Sequence, residues 1–193
     1  MPKRVTDRRV QRTRQLLQDA LVSLMVEQGY EATTVQNIID RANVGRATFY
    51  AHFADKETLL VSRLEDLRAL LVKRQREVMH ASGEGKSRGF GFSLALLEHA
   101  QSHLSLYRVI VGRKSGSVVL QRIQAMTTEL VRDELAWREG ARRGKERELA
   151  IQYIAAAFMG VLTWWLDQGA QLGALEVDGQ FRKLVLHGLG SAG

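Results

Sequence analysis

Between Asn43 and Phe53 the sequence NVGRATFYAHF sets Arg46, Thr48, Tyr50 and His52 among small and aromatic neighbours. Each of these four side chains can donate a hydrogen bond, and no carboxylate interrupts them. Donors clustered this way suit an acceptor-rich or anionic partner. They include no nucleophile with a base to activate it. Wound as a helix, the segment puts Arg46 and Tyr50 four apart on one face and Phe49 and Phe53 four apart on another. The phenylalanines ask for a core. Ala47 and Ala51 keep the outer face low, so another surface can come close to the backbone.

Elsewhere the reactive chemistry thins out. GEGKS, at positions 83–87, is reminiscent of a phosphate-binding loop, but that pattern needs a glycine where His80 stands and a preceding strand, so it is rejected. His99 and His103 lie four apart, a spacing that holds metals. With only Glu98 and Tyr107 nearby and no third ligand, the two read as an ordinary histidine pair, and no metal is expected. Tyr107, Phe158, Trp164 and Trp165, with His103 supplying polarity, are candidate ligand-binding residues. Adjacent tryptophans on a helix point about 100° apart, so Trp164 and Trp165 cannot both face one cavity. No nucleophile–base arrangement, carboxylate pair or cofactor fingerprint is present, so neither catalysis nor a cofactor is expected. The absence of cysteine excludes disulfides and thiolate metal sites.

The elements that must position these residues read as helices throughout. The single proline is Pro2, and no run of strand alternation is long enough to matter. Leu17, Ala20, Leu21, Leu24 and Met25 recur at helical spacing, giving an amphipathic helix over 7–28 stopped by Gly29. Thr33 with Gln36 fits a capping box opening a short helix over 34–41. NVG turns the chain into a second short helix over 46–52. Asp55 is a suitable N-cap for a long helix from Lys56 to about Met79, with Glu57 at the positive end of its dipole. A glycine-rich joint follows, then helices over about 92–101, 103–111, 117–137, 145–168 and 178–189. The fold class is all-α, with about nine helices.

A short helix, a tight turn and a second short helix, braced by a longer one before them, is the helix-turn-helix plan, whose second helix fits the DNA major groove. On that plan Arg46 can bond guanine through two donors, Thr48 meets a base or phosphate, and Tyr50 and His52 reach phosphate oxygens. Lys56, beside exposed N–H groups, is a natural phosphate clamp. GYEATTVQNIIDRANVGRATFYAHFADKETLL, at 29–60, closely resembles the DNA-binding domain of the TetR family of bacterial transcriptional regulators. Gly29, Tyr30, Thr33, Thr34, Ile38, Ala42, Tyr50, Phe53, Lys56 and Leu59 carry the likeness. It implies DNA contacts at Thr33, Thr34, Arg46, Ala47, Thr48, Tyr50, His52 and Lys56. Gly45 stands where the family often has a capping serine, and Ile39 replaces a usual alanine, which should crowd the packing of the first two helices.

The resemblance implies two domains: an N-terminal arm with the helix-turn-helix at 1–57, and a helical ligand-binding and dimerisation domain at 58–193. LEHAQSHLSLYRVIVGRKSG and YIAAAFMGVLTWWLDQG are similar to a regulatory-domain subtype of that family. On the eighth helix Ile151, Ile154, Ala155, Phe158, Met159 and Leu162 make a broad apolar face, with Ala156, Ala157 and Gly160 permitting close approach. Phe181, Leu184, Val185 and Leu189 stripe the ninth. Paired across a homodimer, these two helices would form a four-helix bundle. The partners expected are therefore a double-stranded DNA operator, a second copy and a small-molecule effector. Regulation by a protein partner, or broad architectural DNA binding, are the alternatives.

Charge agrees with a polyanionic partner. The net charge is +7, and the first fourteen residues hold Lys3, Arg4, Arg8, Arg9, Arg12 and Arg14 against Asp7 alone. With no signal-like apolar start and no apolar run of about 18 residues, neither membrane insertion nor export is expected, and the location expected is cytoplasmic.

Overall fold

The computed structural model describes residues 3–81, 89–112, 117–139 and 144–188, with side chains described from Arg8 and, inside those ranges, not at 81, 111–112, 117 and 137–139. The side chains of Lys3, Arg4, Asp7 and Trp137, the GEGKS segment and Leu189 therefore lie outside it. Among the described residues there are nine helices and no strand: α1 (Lys3–Gln28), α2 (Val35–Ala42), α3 (Arg46–His52), α4 (Lys56–Ala81), α5 (Gly91–Ser102), α6 (Leu104–Gly112), α7 (Ser117–Glu139), α8 (Lys145–Asp167) and α9 (Ala174–His187).

The apolar period of α1 does what it predicts. Leu17, Ala20, Leu21, Leu24 and Met25 are all buried, and α1 packs on α2, α4 and α6. Gly29 then takes a left-handed φ of 86° that a side chain would resist, and the chain turns. The capping box is one residue later than expected. Thr34 is the N-cap, its Oγ1 accepting from the Asn37 N–H at 3.1 Å while Asn37 Oδ1 accepts from the Thr34 N–H at 3.0 Å. Thr33 is unavailable for that role, because its buried hydroxyl donates to the Gly29 carbonyl at 2.8 Å. Ile39 is 95% buried and takes its place in the core beside Ile38.

α4 crosses the expected domain boundary at 57 and 58 without a break, starting from Asp55, whose Oδ1 accepts the Thr58 N–H at 2.7 Å. Its far half packs on α5 and α7. The approach to α5 is close because residue 91 is glycine: a Cβ there would sit 2.9 Å from both the Gln75 Cα and the Val78 Cβ. α9 begins at Ala174, ahead of the expected Asp178. That aspartate is instead mid-helix and buried, bonded to Ser93 Oγ of α5 and to Arg182 Nε at 2.8 Å.

The broad apolar face read on α8 turns inward. Ile151, Ile154, Ala155, Phe158, Met159 and Leu162 are buried within the protomer, Phe158 with its ring 5.1 Å from Phe181 and 5.5 Å from Phe92. The stripe assigned to dimerisation is thus core, because it is the side that meets α6, α7 and α9. Phe181 of α9 is core for the same reason, while Leu184 is 36% exposed. By length and composition α8 could cross a bilayer, its best 18-residue window having a mean hydropathy of 1.6. This corrects the expectation that no segment reaches that length; 44% of that window is buried within the protomer.

Candidate DNA interface and internal cavity

The short helix α3 has one face anchored and the other free. Phe49 and Phe53 are almost completely buried, the rings 6.2 Å apart, and burying such a side chain contributes about 1.5–3 kcal/mol. Arg46, Ala47, Thr48, Tyr50 and Ala51 are exposed, and His52 is half-buried. A seven-residue helix would not persist alone; the phenylalanines hold it so that its small and donor-bearing face stands outward. Asn43 closes α2 with a left-handed φ of 51°, a conformation asparagine tolerates better than most residues. Val44 N–H returns to the Ile39 carbonyl at 3.2 Å, fixing the turn between the helices.

Arg46 is lightly held, its Nη1 3.5 Å from Gln36 Oε1 and its guanidinium 5.7 Å from the Tyr50 ring. Such contacts are easily exchanged for a base edge. The N-cap Gly45 makes no side-chain cap, and a Cβ there would lie 3.7 Å from Thr48 Oγ1, in ordinary contact, so a serine would fit.

Other expected contacts are already committed elsewhere. Thr33 is buried and faces Gly29, so it braces the turn and does not reach outward. The Thr34 hydroxyl donates to Asn37 Oδ1 at 2.7 Å, leaving it able only to accept. Lys56 directs Nζ to the Tyr30 carbonyl at 3.0 Å and sits 4.3 Å over the Tyr30 ring. Its ammonium clamps the α1–α2 turn in this structure. An ammonium carries three N–H donors, so the hold on Tyr30 leaves donors for a phosphate.

Behind α3 runs a polar seam that sequence reading missed. Arg14 Nη2 donates to Ser62 Oγ at 2.7 Å, and Gln18 Nε2 donates to the same oxygen at 3.2 Å and to Asp66 Oδ2 at 2.8 Å. Arg14 also lies 4.9 Å over the Phe53 ring. Gln18 beside Leu17 and Leu21 was the available signal, a polar residue at the edge of an apolar stripe. Glu57, in the first turn of α4, pairs with Arg122 of α7.

The expected ligand-binding residues do not converge. Phe158 is locked in the core; Trp165 is buried and donates Nε1–H to the Leu172 carbonyl at 2.9 Å, pinning the turn before α9; Trp164 is 52% exposed. Phe158 and Trp165, seven apart, share the inward face of α8, while Trp164 points outward. The cavity lies elsewhere, lined from α1, α4, α5, α6 and α7, and comprises about 490 Å³ of non-atom space, part of it open to solvent. It is a narrow slot. Leu21 and Met25 of α1, Leu60 and Leu67 of α4, Ile110 and Ile123 contribute to an apolar lining whose polar members are Arg63, His99 and Tyr107.

Of the expected residues, Tyr107 lines this slot. His103 stacks on His99 with ring centroids 4.3 Å apart, and its Nδ1 lies 3.0 Å from the His99 carbonyl. The two imidazoles stand face to face, so their nitrogens do not aim at one point. The Tyr107 phenol is 3.2 Å from His99 Nδ1. Burial, reinforced by His103 and Arg63, lowers the His99 pKa to about 4; burial raises that of Tyr107. At neutral pH His99 is therefore uncharged, and its Nδ1 can accept a hydrogen bond donated by the Tyr107 phenol O–H.

A buttressed recognition helix on a helix-turn-helix head, continuous through α4 with a larger helical body, defines a DNA-binding regulator. Residues 17–62 match the family described as bacterial regulatory proteins, tetR family, and residues 90–186 match a transcriptional regulator C-terminal region. The chain belongs to the TetR family of transcriptional regulators. It is similar to the transcriptional repressor KstR2 of Mycolicibacterium smegmatis, 25% identical over 91% of this chain and 89% of that one. It also matches the uncharacterised regulator YxbF of Bacillus subtilis at 28% identity over 84% of this chain, spanning 42% of YxbF's length. A TetR transcriptional regulator structure from Streptococcus agalactiae superimposes with a TM-score of 0.68 at 28% identity, covering 94% of this chain and 97% of the other.

Proposed function

We propose that this chain is a cytoplasmic, homodimeric repressor that holds a palindromic operator and releases it when a small molecule occupies the α1–α4–α6–α7 cavity. The observation that carries the reading is α3 itself: Phe49 fully buried, with Arg46, Ala47, Thr48 and Tyr50 exposed on the opposite side. In the major groove the two alanines permit close approach, Arg46 reads guanine, and Tyr50 and His52 meet phosphates. Two copies would set their α3 helices about 34–36 Å apart, one turn of DNA.

The outward face of α8 supports the pairing. Leu149, Tyr153 and Trp164 are 72, 63 and 52% exposed and share that face with Ala156 and Gly160, where a Cβ would meet nothing within 4 Å. Large apolar groups flanking small residues suit close helix–helix contact. The cavity supports ligand control because α1 of the DNA head lines it and α4 runs from that head into its wall. A ligand that fits only one spacing of the heads would shift the population toward it.

The test is sedimentation of the chain at micromolar concentration alongside Tyr153→Glu. The wild type is expected as a dimer and the variant mainly as monomer, with operator affinity reduced at least tenfold. A monomeric wild type that still binds a palindrome at full affinity would contradict the pairing.

A further inference from the structure

We infer that the cavity takes an amphiphilic anion, an apolar chain or flat ring carrying one carboxylate, with the carboxylate paired to Arg63. The inference rests on the small-molecule reading above and adds the chemical class of the ligand. Apart from Arg63, His99 and Tyr107, every lining side chain is apolar, and no carboxylate is among them. Arg63 is half-buried and, among the described residues, makes no hydrogen bond or ion pair, whereas Arg41, Arg122 and Arg132 each have an acidic partner. No Arg63 nitrogen is a buried atom without a partner, so its guanidinium keeps its access to water and is free to pair with an anion at the cavity wall. Its planar fork matches a carboxylate with two parallel hydrogen bonds.

The remaining polar groups limit the ligand to one charge. Arg63, His99 and Tyr107 all line the cavity, and the His99 ring touches the Tyr107 phenol. His99 is neutral at pH 7, and its Nδ1 lies against the Tyr107 phenol, so neither adds a second positive site. The rest of the lining, including Leu21 and Met25 of α1, Ile110 and Ile123, offers only apolar contact. Its narrowness favours an unbranched chain or a flat ring over a bulky body. An occupant would touch the first helix of the DNA head directly while its charge is held by α4.

A matched ten-carbon series tests this on the full chain: decanoate, decanol and decylamine, each below its micelle concentration, measured by calorimetry and by melting temperature at pH 7. Decanoate is expected to bind saturably and raise the melting temperature, with decanol at least tenfold weaker and decylamine not bound. Arg63→Met is expected to lose at least tenfold in decanoate affinity and leave decanol unchanged, while Arg63→Lys retains part of the preference. Ile110→Trp, which fills the slot, should abolish binding of both. Equal binding of decanoate and decanol, or no binding by any member, overturns the anionic class without needing a variant. If Ile110→Trp still abolishes decanol binding, the cavity reading survives that failure. If folded Ile110→Trp binds decanoate normally, the ligand lies elsewhere and both readings fall.

Discussion

At the residue scale, exposure and prior commitment separate the side chains that can read DNA from those that only support the head. Arg46 is exposed and loosely held, so Arg46→Ala should leave folding intact, cost about 1–3 kcal/mol on the preferred sequence and relax selection at one base pair. Titration of specific and random duplexes by fluorescence anisotropy checks this; equal losses on both would remove the base-reading role. His99 supplies a second residue-scale prediction. An exposed histidine in the unfolded chain takes its proton near the ordinary value of 6.5, but the buried ring takes it only near 4. Between those values the unfolded state binds more protons, so stability is lost as pH falls through that window. The melting temperature should therefore drop further from pH 7 to pH 5 in the wild type than in His99→Gln; parallel curves would contradict it. Composition and spacing made the outward placement of Arg46, Thr48 and Tyr50 and the burial of the phenylalanine anchors legible. They did not reveal that the Lys56 ammonium is held by the Tyr30 carbonyl, because that contact joins residues 26 positions apart.

At the scale of elements, hydrophobic period located the helices, since each must bury a stripe. Capping chemistry placed their starts less well. Thr33 and Thr34 both have the right hydroxyl, and only the Gly29 carbonyl, which occupies Thr33, decides between them. The orientation of α8 was not legible either. Ile151, Phe158 and Leu162 lie on one side, and Leu149, Tyr153 and Trp164 on another, so the helix is apolar nearly all round and its period cannot say which side meets the protomer. The fit of α5 on α4 depends on the absence of a side chain at 91. Gly91→Ala should destabilise the chain by about 1–3 kcal/mol, because the new methyl meets backbone at Gln75 that cannot yield as a flexible side chain would. Denaturant unfolding measures it; a variant as stable as the wild type would show that the helices separate without cost.

At the scale of the whole molecule, the +7 charge draws the chain to any DNA, whereas in the function proposed above α3 supplies the means of choosing a sequence. Phosphate attraction alone gives binding that collapses with salt and has no preference. A dimer with two recognition helices adds a fixed half-site spacing that charge cannot imitate. Selection of bound fragments from a random duplex library at near-physiological salt separates the two most directly. The expected result is enrichment of a palindrome whose half-site centres lie about one helical turn, or a whole number of turns, apart. Salt-sensitive binding with no enriched sequence would contradict it and leave a protein that holds DNA by charge alone.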